Sequence, residues 1–268
     1  MCSSDLTNVM ARWNLRHAAR AALGDAAVTL EERARWEALA AGLVDGYDPA
    51  TGRYEQFVGY SDLEPLIVRD PLIRPVAADK VLGRDRVVAS QVIKQADVLM
   101  LHHLVPEEME PGSLLPDLDY YEPRTAHGSS LSPAVHASLL ARAGRLDEAV
   151  AALSMTARLD LDELFVSAAL GMHAATMGGL WQALVVGFCG IRPSGDALVV
   201  DPRMPGAWGA VRIPVRFRGS RVRVRVEEDR LEVRARPAAT IRVGASSPAA
   251  IGPAGRRFRR TAGGWDPA

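Results

Sequence analysis

Seven residues late in the chain, Arg221-Val-Arg-Val-Arg-Val-Glu227, alternate charged and branched apolar side chains without interruption. Only an extended strand with one face in a core and one in water suits that pattern, because successive side chains leave opposite faces of a sheet. The valines are expected inside and the arginines in solvent. Runs of similar character flank it at 197–200, 211–217 and 230–236. A basic strand invites a nucleic-acid reading, but Glu227, Glu228, Asp229 and Glu232 stand beside it and favour a mixed, solvated face. Residues 244–268 are rich in Pro, Gly and Ala and read as a loose tail.

Before Gly190 the period is helical. Over 7–23, Val9, Met10, Trp13, Leu15, Ala18 and Ala22 fall on roughly one helix face. Thr29-Leu-Glu-Glu32 has the capping-box pattern and predicts a helix to about Leu43. A Gly-, Asp- and Pro-containing turn or loop follows at 45–53, and Pro65, Pro71 and Pro75 keep 54–83 irregular. Further helices are expected at 84–104, 133–143, 146–158, 161–176 and 180–188. The fold class is therefore mainly α with a small β domain, divided near residue 190. The opening residues 1–6 carry no loop chemistry before the first helix, so the chain is expected to begin inside a larger domain.

Composition excludes several classes. The chain has 268 residues, enough for one large domain or two smaller ones, and 48% are hydrophobic, enough for a substantial core. Lys+Arg and Asp+Glu balance at 32 each, whereas a general nucleic-acid binder needs a basic surplus. No apolar run has the length of a membrane span and no signal peptide is visible, so neither nucleic acid nor membrane is expected as a partner. Cys2 and Cys189 are the only cysteines, which argues against a disulfide framework and for a reducing cytoplasm. Cys189 lies in an apolar run and is expected to be a buried small residue.

Three stretches hold groups that can do chemistry. Lys94 and Gln95, in Gln91-Val-Ile-Lys-Gln-Ala-Asp97, put an amine beside an amide, a donor and acceptor set that suits sugar hydroxyls. Spacing alone favours a solvated helix face, and a Lys94–Asp97 pair three residues apart is a further alternative. In Asp119-Tyr-Tyr-Glu-Pro-Arg-Thr-Ala-His-Gly-Ser-Ser-Leu-Ser-Pro133, Tyr120 and Tyr121 offer flat surfaces to a sugar ring. Glu122 and Arg124 can pair, and His127, Ser129 and Ser130 can meet an anion. Ser132 suits a helix cap and Pro133 a first turn, so free N–H groups would add to an anion site. The same hydroxyls could simply cap that helix. In Gly171-Met-His-Ala-Ala-Thr-Met-Gly-Gly179, His173 is expected near the end of one helix. Gly178-Gly179 would break to the next, whose start would favour an anion; a buried histidine above a plain turn is the alternative. His102-His103 do not share a helix face, and no zinc spacing, phosphate-binding Gly-Lys-Ser/Thr loop or Gly-x-Ser-x-Gly elbow occurs. No metal or cofactor is expected.

Together, Val92-Ile-Lys-Gln-Ala-Asp-Val98, the 119–133 stretch and the 171–179 stretch closely resemble glycoside hydrolase family 65. That family comprises maltose, trehalose and kojibiose phosphorylases with hydrolase relatives. The resemblance runs from about Thr7 to about Glu232. It implies the C-terminal part of an (α/α)6 barrel over 1–189 and a small β-sandwich-like domain over 190–243, ahead of the tail. It implies inverting phosphorolysis of an α-linked glucosyl disaccharide, with inorganic phosphate as co-substrate and glucose 1-phosphate as product. Lys94 and Gln95 would hold the glucosyl unit. Ser129, Ser130 and His173 would hold phosphate, with His127 and the Gly178-Gly179 backbone near it. Ala126 stands where many relatives carry serine, removing one hydroxyl. Family members often form homodimers.

In relatives the general acid is a glutamate in a Gly-Pro-Asp-Glu-Tyr-like motif just before a Thr-Asn-x-Met-Ala-x-Trp-Asn-Leu helix. The helix is present as Thr7-Asn-Val-Met-Ala-Arg-Trp-Asn-Leu15 and the acid motif is not. The expectation is a C-terminal portion of a phosphorylase that has no catalytic acid and is inactive alone. Two alternatives remain open: a hydrolase of the same family with Glu122 as base, and a non-catalytic carbohydrate-binding protein.

Overall fold

The computed structural model describes residues 5–24, 27–68, 78–162 and 171–268. These residues form two compact units, Met1–Leu139 and Leu140–Ala268. Among them, no helix is long and apolar enough to cross a membrane.

In the first unit, α1 (Asp5–Ala21) packs against α2 (Leu30–Gly42). The Thr29 hydroxyl accepts from the Glu32 N–H at 3.1 Å, so α2 begins where the capping-box pattern puts it. The turn expected at 45–53 is a small hairpin of β1 (Tyr47–Asp48) and β2 (Arg53–Tyr54). Short helices α3 (Ala78–Leu82) and α4 (Arg84–Val88) follow, then α5 (Asp97–Leu104), α6 (Leu114–Tyr121) and α7 (Ser132–Arg142), which runs past the unit boundary.

The inner face of α1 is tied down by charge as well as by apolar packing. Arg12, 9% exposed, donates to Asp45 Oδ2 at 2.7 Å, to Glu108 Oε2 at 3.1 Å and to the Glu108 carbonyl at 2.9 Å. Arg16 also reaches Glu108. Removing the central cation leaves Glu108 buried with half of its partners. Arg12→Met is therefore expected to lower stability by about 3 kcal/mol, read as a shifted urea midpoint; a loss under about 1 kcal/mol would mean a pair of surface type.

The second unit contains α8 (Leu146–Arg158) and α9 (Ala174–Gln182), which continues through a π-helical stretch, Ala183–Phe188. Strands follow: β3 (Arg192–Ser194), β4 (Ala197–Val200), β5 (Val211–Phe217), β6 (Ser220–Glu227), β7 (Arg230–Arg236), β8 (Ala239–Val243), β9 (Ala249–Ile251), β10 (Arg256–Thr261) and β11 (Gly264–Pro267). One sheet is antiparallel in the order β11-β10-β7-β6-β5; the other runs β3-β4-β8-β9, with β4 and β8 parallel. As the alternation requires, Val222, Val224 and Val226 are buried while Arg221 and Arg223 are exposed. They share one core with Leu198 and Val200 of the second sheet and with Val185 and Cys189 of the preceding helical stretch. Burial pushes the Cys189 thiol up to about 12, so this cysteine is packing, as expected, and not a nucleophile.

Gly190, where the period changes, has φ of 59°. A Cβ there would stand 2.1 Å from the Asp201 carbonyl oxygen, so no other residue fits the junction.

Three expectations need correction. Residues 244–268 are no loose tail: β9, β10 and β11 pair within the two sheets, and Ile251, Phe258 and Trp265 are buried in the core. The Gly and Pro residues that suggested disorder make the turns between these strands. The single helix expected over 84–104 is two helices with an extended segment between them. The helix expected over 161–176 falls partly outside the described residues; within them, α9 starts at Ala174 and runs through Gly178-Gly179.

Candidate functional site

In the first unit the extended segment is the key element. Ala89 ends α4 with its N–H on the Asp85 carbonyl. The Ser90 hydroxyl then turns onto the Val87 carbonyl and accepts from the Val92 N–H, local bonds that compete with helix. The β-branched pair Val92-Ile93 continues extended. The Ile93 N–H donates to the Arg124 carbonyl at 3.1 Å and the Ala126 N–H donates to the Ile93 carbonyl at 2.8 Å, a parallel bridge between Ile93 and Thr125. Two of the three stretches singled out from the sequence thus lie side by side.

Gln91, 3% exposed, fastens this arrangement. Its Oε1 accepts from the Tyr120 hydroxyl and the Arg124 Nε, both at 2.9 Å, and its Nε2 donates to the Ser61 and Leu63 carbonyls at 3.2 and 3.3 Å. The Tyr60 hydroxyl donates to its carbonyl at 2.6 Å. Sequence reasoning passed over Gln91; an amide beside a β-branched run was the only local signal for it. Beyond this anchor Lys94 and Gln95 stand exposed, with backbone held and side chains open to a ligand. Because Lys94 precedes α5, the intrahelical spacing to Asp97 does not arise. Asp97 opens α5, and burial holds its carboxyl above the usual range.

The tyrosines do not present the free surfaces expected of them. Tyr121 is fully buried, and its hydroxyl donates to the Tyr54 carbonyl at 2.6 Å. The guanidinium carbons of Arg53 and Arg124 lie 3.8 and 3.9 Å from the Tyr120 ring centroid. Arg124 directs Nε to Gln91 and Nη1 to the Tyr120 carbonyl. Glu122 is 7% exposed in a 3-10 turn.

The loop before α7 divides in two. His127 is 3% exposed, in the left-handed region at φ 53°, with Nδ1 2.9 Å from the Ser132 Oγ and its ring edge-on to His136. Ser132 therefore steadies His127 as the first residue of α7, and Pro133 occupies the first turn as expected. Gly128, Ser129 and Ser130 are half-buried, and the Ser129 Oγ accepts from the Leu131 N–H at 3.4 Å. Ala126 is fully buried in a small apolar cluster with Val68, Ala78 and Val92. A serine there would place its hydroxyl in that cluster, so the hydroxyl missing at this position does not face a ligand.

In the second unit His173 is the residue preceding α9, not the end of an earlier helix. Asp160, just after α8, grips it twice: Oδ1 lies 2.5 Å from Nδ1 and Oδ2 accepts the His173 N–H at 2.9 Å. That pairing holds the Asp160 carboxyl below its ordinary value of 3.8. Folding depresses this pKa, so its stabilisation is complete above 3.8 and is lost as pH falls through the lower folded value. The clamp occupies Nδ1, so an oxyanion would meet this imidazole at Nε2. Gly178 and Gly179 lie inside α9; a Cβ at Gly178 would meet nothing within 4 Å, so the bare backbone there is open. The helix start that can favour an anion is at Ala174, beside His173, rather than after Gly179. Among the described residues no group of three or more His, Cys, Asp or Glu side chains could hold a metal ion.

Comparison with known proteins adds an independent line. The family model for the glycosyl hydrolase family 65 central catalytic domain matches residues 1–182, and that for the family's C-terminal domain matches 191–245. A kojibiose phosphorylase of Halothermothrix orenii is 36% identical over 178 residues, 66% of this chain and 23% of that protein. An alpha,alpha-trehalose phosphorylase of Thermoanaerobacter brockii is 40% identical over 139 residues, 52% and 18% of the two chains. A maltose phosphorylase of Bacillus subtilis is 35% identical over 170 residues, 63% and 22%. A solved structure named "Putative kojibiose phosphorylase from human microbiome" superposes with a TM-score of 0.83 at 25% identity, covering 96% of this chain and 36% of that one. The chain spans 18–23% of the length of these three curated relatives.

Proposed function

Because the chain belongs to glycosyl hydrolase family 65, we propose that it supplies the glucosyl- and phosphate-binding part of an inverting disaccharide phosphorylase. The substrate class is an α-linked glucosyl disaccharide of maltose, trehalose or kojibiose type, cleaved by inorganic phosphate to glucose 1-phosphate. Residues 1–189 would be the C-terminal part of an (α/α)6 barrel, working in the cytoplasm as part of a homodimeric enzyme. The observation that carries the reading is the exposed Lys94-Gln95 pair on a backbone pinned beside the serine loop by Gln91 and the Ile93–Thr125 bridge.

In this reading Lys94 and Gln95 bond the glucosyl hydroxyls, while Ser129 and Ser130 contribute hydroxyls to phosphate. His127, buried, shapes that loop. His173 contributes Nε2 to phosphate, with the Gly178-Gly179 backbone near it and open space beside Gly178. An inverting displacement needs a proton for the leaving oxygen and a nucleophile on the opposite face. These residues serve the nucleophile and the glucosyl ring. The hydrolase alternative requires Glu122 to reach a water at the reacting carbon, and its burial does not favour that.

The test is phosphate binding by the 268-residue polypeptide, followed by calorimetry. His173→Ala removes one charge-assisted hydrogen bond and is expected to weaken phosphate affinity about 10- to 100-fold. Asp160→Ala, which frees the ring but keeps it, should give a smaller loss of the same sign. Unchanged affinity in the His173 variant would sink the phosphate assignment.

A further inference from the structure

The charge of this chain is balanced overall, 32 basic against 32 acidic residues, but the five-stranded sheet segregates it. Strand register puts Arg216, Arg221 and Arg236 opposite one another in a single cross-strand row. The next row holds Arg223 and Arg234 beside Pro214. The two rows beyond add five arginines and the face's three acids, Glu227, Glu232 and Asp266. Ten arginines thus share one solvent face with three acids; the mixed face expected from the local sequence holds in the two outer rows, while the rows of Arg216 and Arg223 contain no acid. Glu228 and Asp229 lie in the turn after β6, outside these rows, where Asp229 engages Arg230 and Arg259 at 3.9 and 3.5 Å. Glu227 and Glu232 are engaged by Arg225 and Arg234. Among the described residues no ion pair engages Arg216, Arg221, Arg236, Arg223, Arg212 or Arg257.

Like charges directly opposite on paired strands destabilise a sheet, and here three stand in a row about 4.8 Å apart from strand to strand. An anionic partner relieves that repulsion. The arginines are spread over four strands, so a partner must offer anions over an area rather than along one line. The face has no aromatic side chain, so it offers single-stranded nucleic acid no stacking platform. A layer of separate anionic headgroups offers such an array of anions. We propose that this sheet face docks reversibly on an anionic membrane surface through its arginines alone, without apolar insertion.

The experiment is co-sedimentation of the 268-residue polypeptide with phosphatidylcholine vesicles containing 30% phosphatidylserine, a composition of about one anionic lipid in three. Binding is expected to these vesicles and not to pure phosphatidylcholine, with release in high salt. The triple variant Arg216→Gln/Arg221→Gln/Arg236→Gln should bind about 100-fold more weakly. A control of equal charge change, Arg20→Gln/Arg35→Gln/Arg84→Gln, should bind as the parent does. Thermal melts of both variants confirm folding, and Arg223→Gln/Arg257→Gln provides a second pair on the same face. No binding to anionic vesicles, tighter binding to duplex DNA than to vesicles, or equal losses in the test and control variants would overturn the proposal.

Discussion

Asp117→Ala is expected to destabilise the first unit by about 3–5 kcal/mol, from a cavity and two buried hydrogen-bond partners left unsatisfied. Asp117 is fully buried on α6 and serves two elements at once. Its Oδ2 lies 2.8 Å from the His102 Nε2 of α5, and its Oδ1 accepts the Tyr54 N–H of β2 at 2.9 Å. Burial raises its carboxyl pKa, while the bonds to His102 and the Tyr54 N–H pull the other way. Alanine would leave a buried imidazole and a buried backbone N–H facing a cavity. Asp117→Asn keeps shape and one acceptor, so it should lose clearly less. Urea denaturation of both variants decides the matter; a loss below about 1 kcal/mol for alanine would mean water replaces the carboxylate without penalty. His102 is committed to Asp117 inside the fold.

A second large effect concerns catalysis. A polypeptide of residues 1–268 is expected to release glucose 1-phosphate from maltose, trehalose or kojibiose at least about 10²–10⁴-fold more slowly than an enzyme with its general acid in place. These residues contain no Gly-Pro-Asp-Glu-Tyr-like stretch, and the proposed roles of Lys94, Gln95, Ser129, Ser130 and His173 include no proton donor to the leaving oxygen. An α-glucosyl donor whose leaving group departs without protonation, such as α-glucosyl fluoride, should narrow the deficit. A discontinuous assay of glucose 1-phosphate formed from each donor separates the cases. Robust turnover of the natural disaccharides would show that an acid within these residues has been overlooked, and Glu122 would be the first to test.

What could be read from the chain alone was whatever depends on neighbours a few residues apart. The helix Leu146–Arg158 and the strands Val211–Phe217 and Arg230–Arg236 lie where their periods put them, because amphipathic spacing is a local property. Thr29 caps α2 for the same reason. Burial of Cys189 followed from its apolar surroundings. The three candidate stretches were also visible, as residue types in order.

Tertiary structure decided the rest. Lys94 looked helical because Val92, Ile93 and Val98 suit a helix face as well as a strand; the pairing of Ile93 with Thr125, thirty-two residues away, made it extended. Strands β10 and β11 were hidden because one Phe and one Trp among arginines, Gly and Pro show little period until β7 pairs with them. Asp160 and His173 are thirteen residues apart with no spacing rule linking them, yet a clamp results. Most plainly, the row Arg216, Arg221, Arg236 exists only through strand register. A sequence states which side of its own strand a residue occupies; which charges stand opposite it depends on hydrogen bonding between strands, and that is a property of the folded sheet.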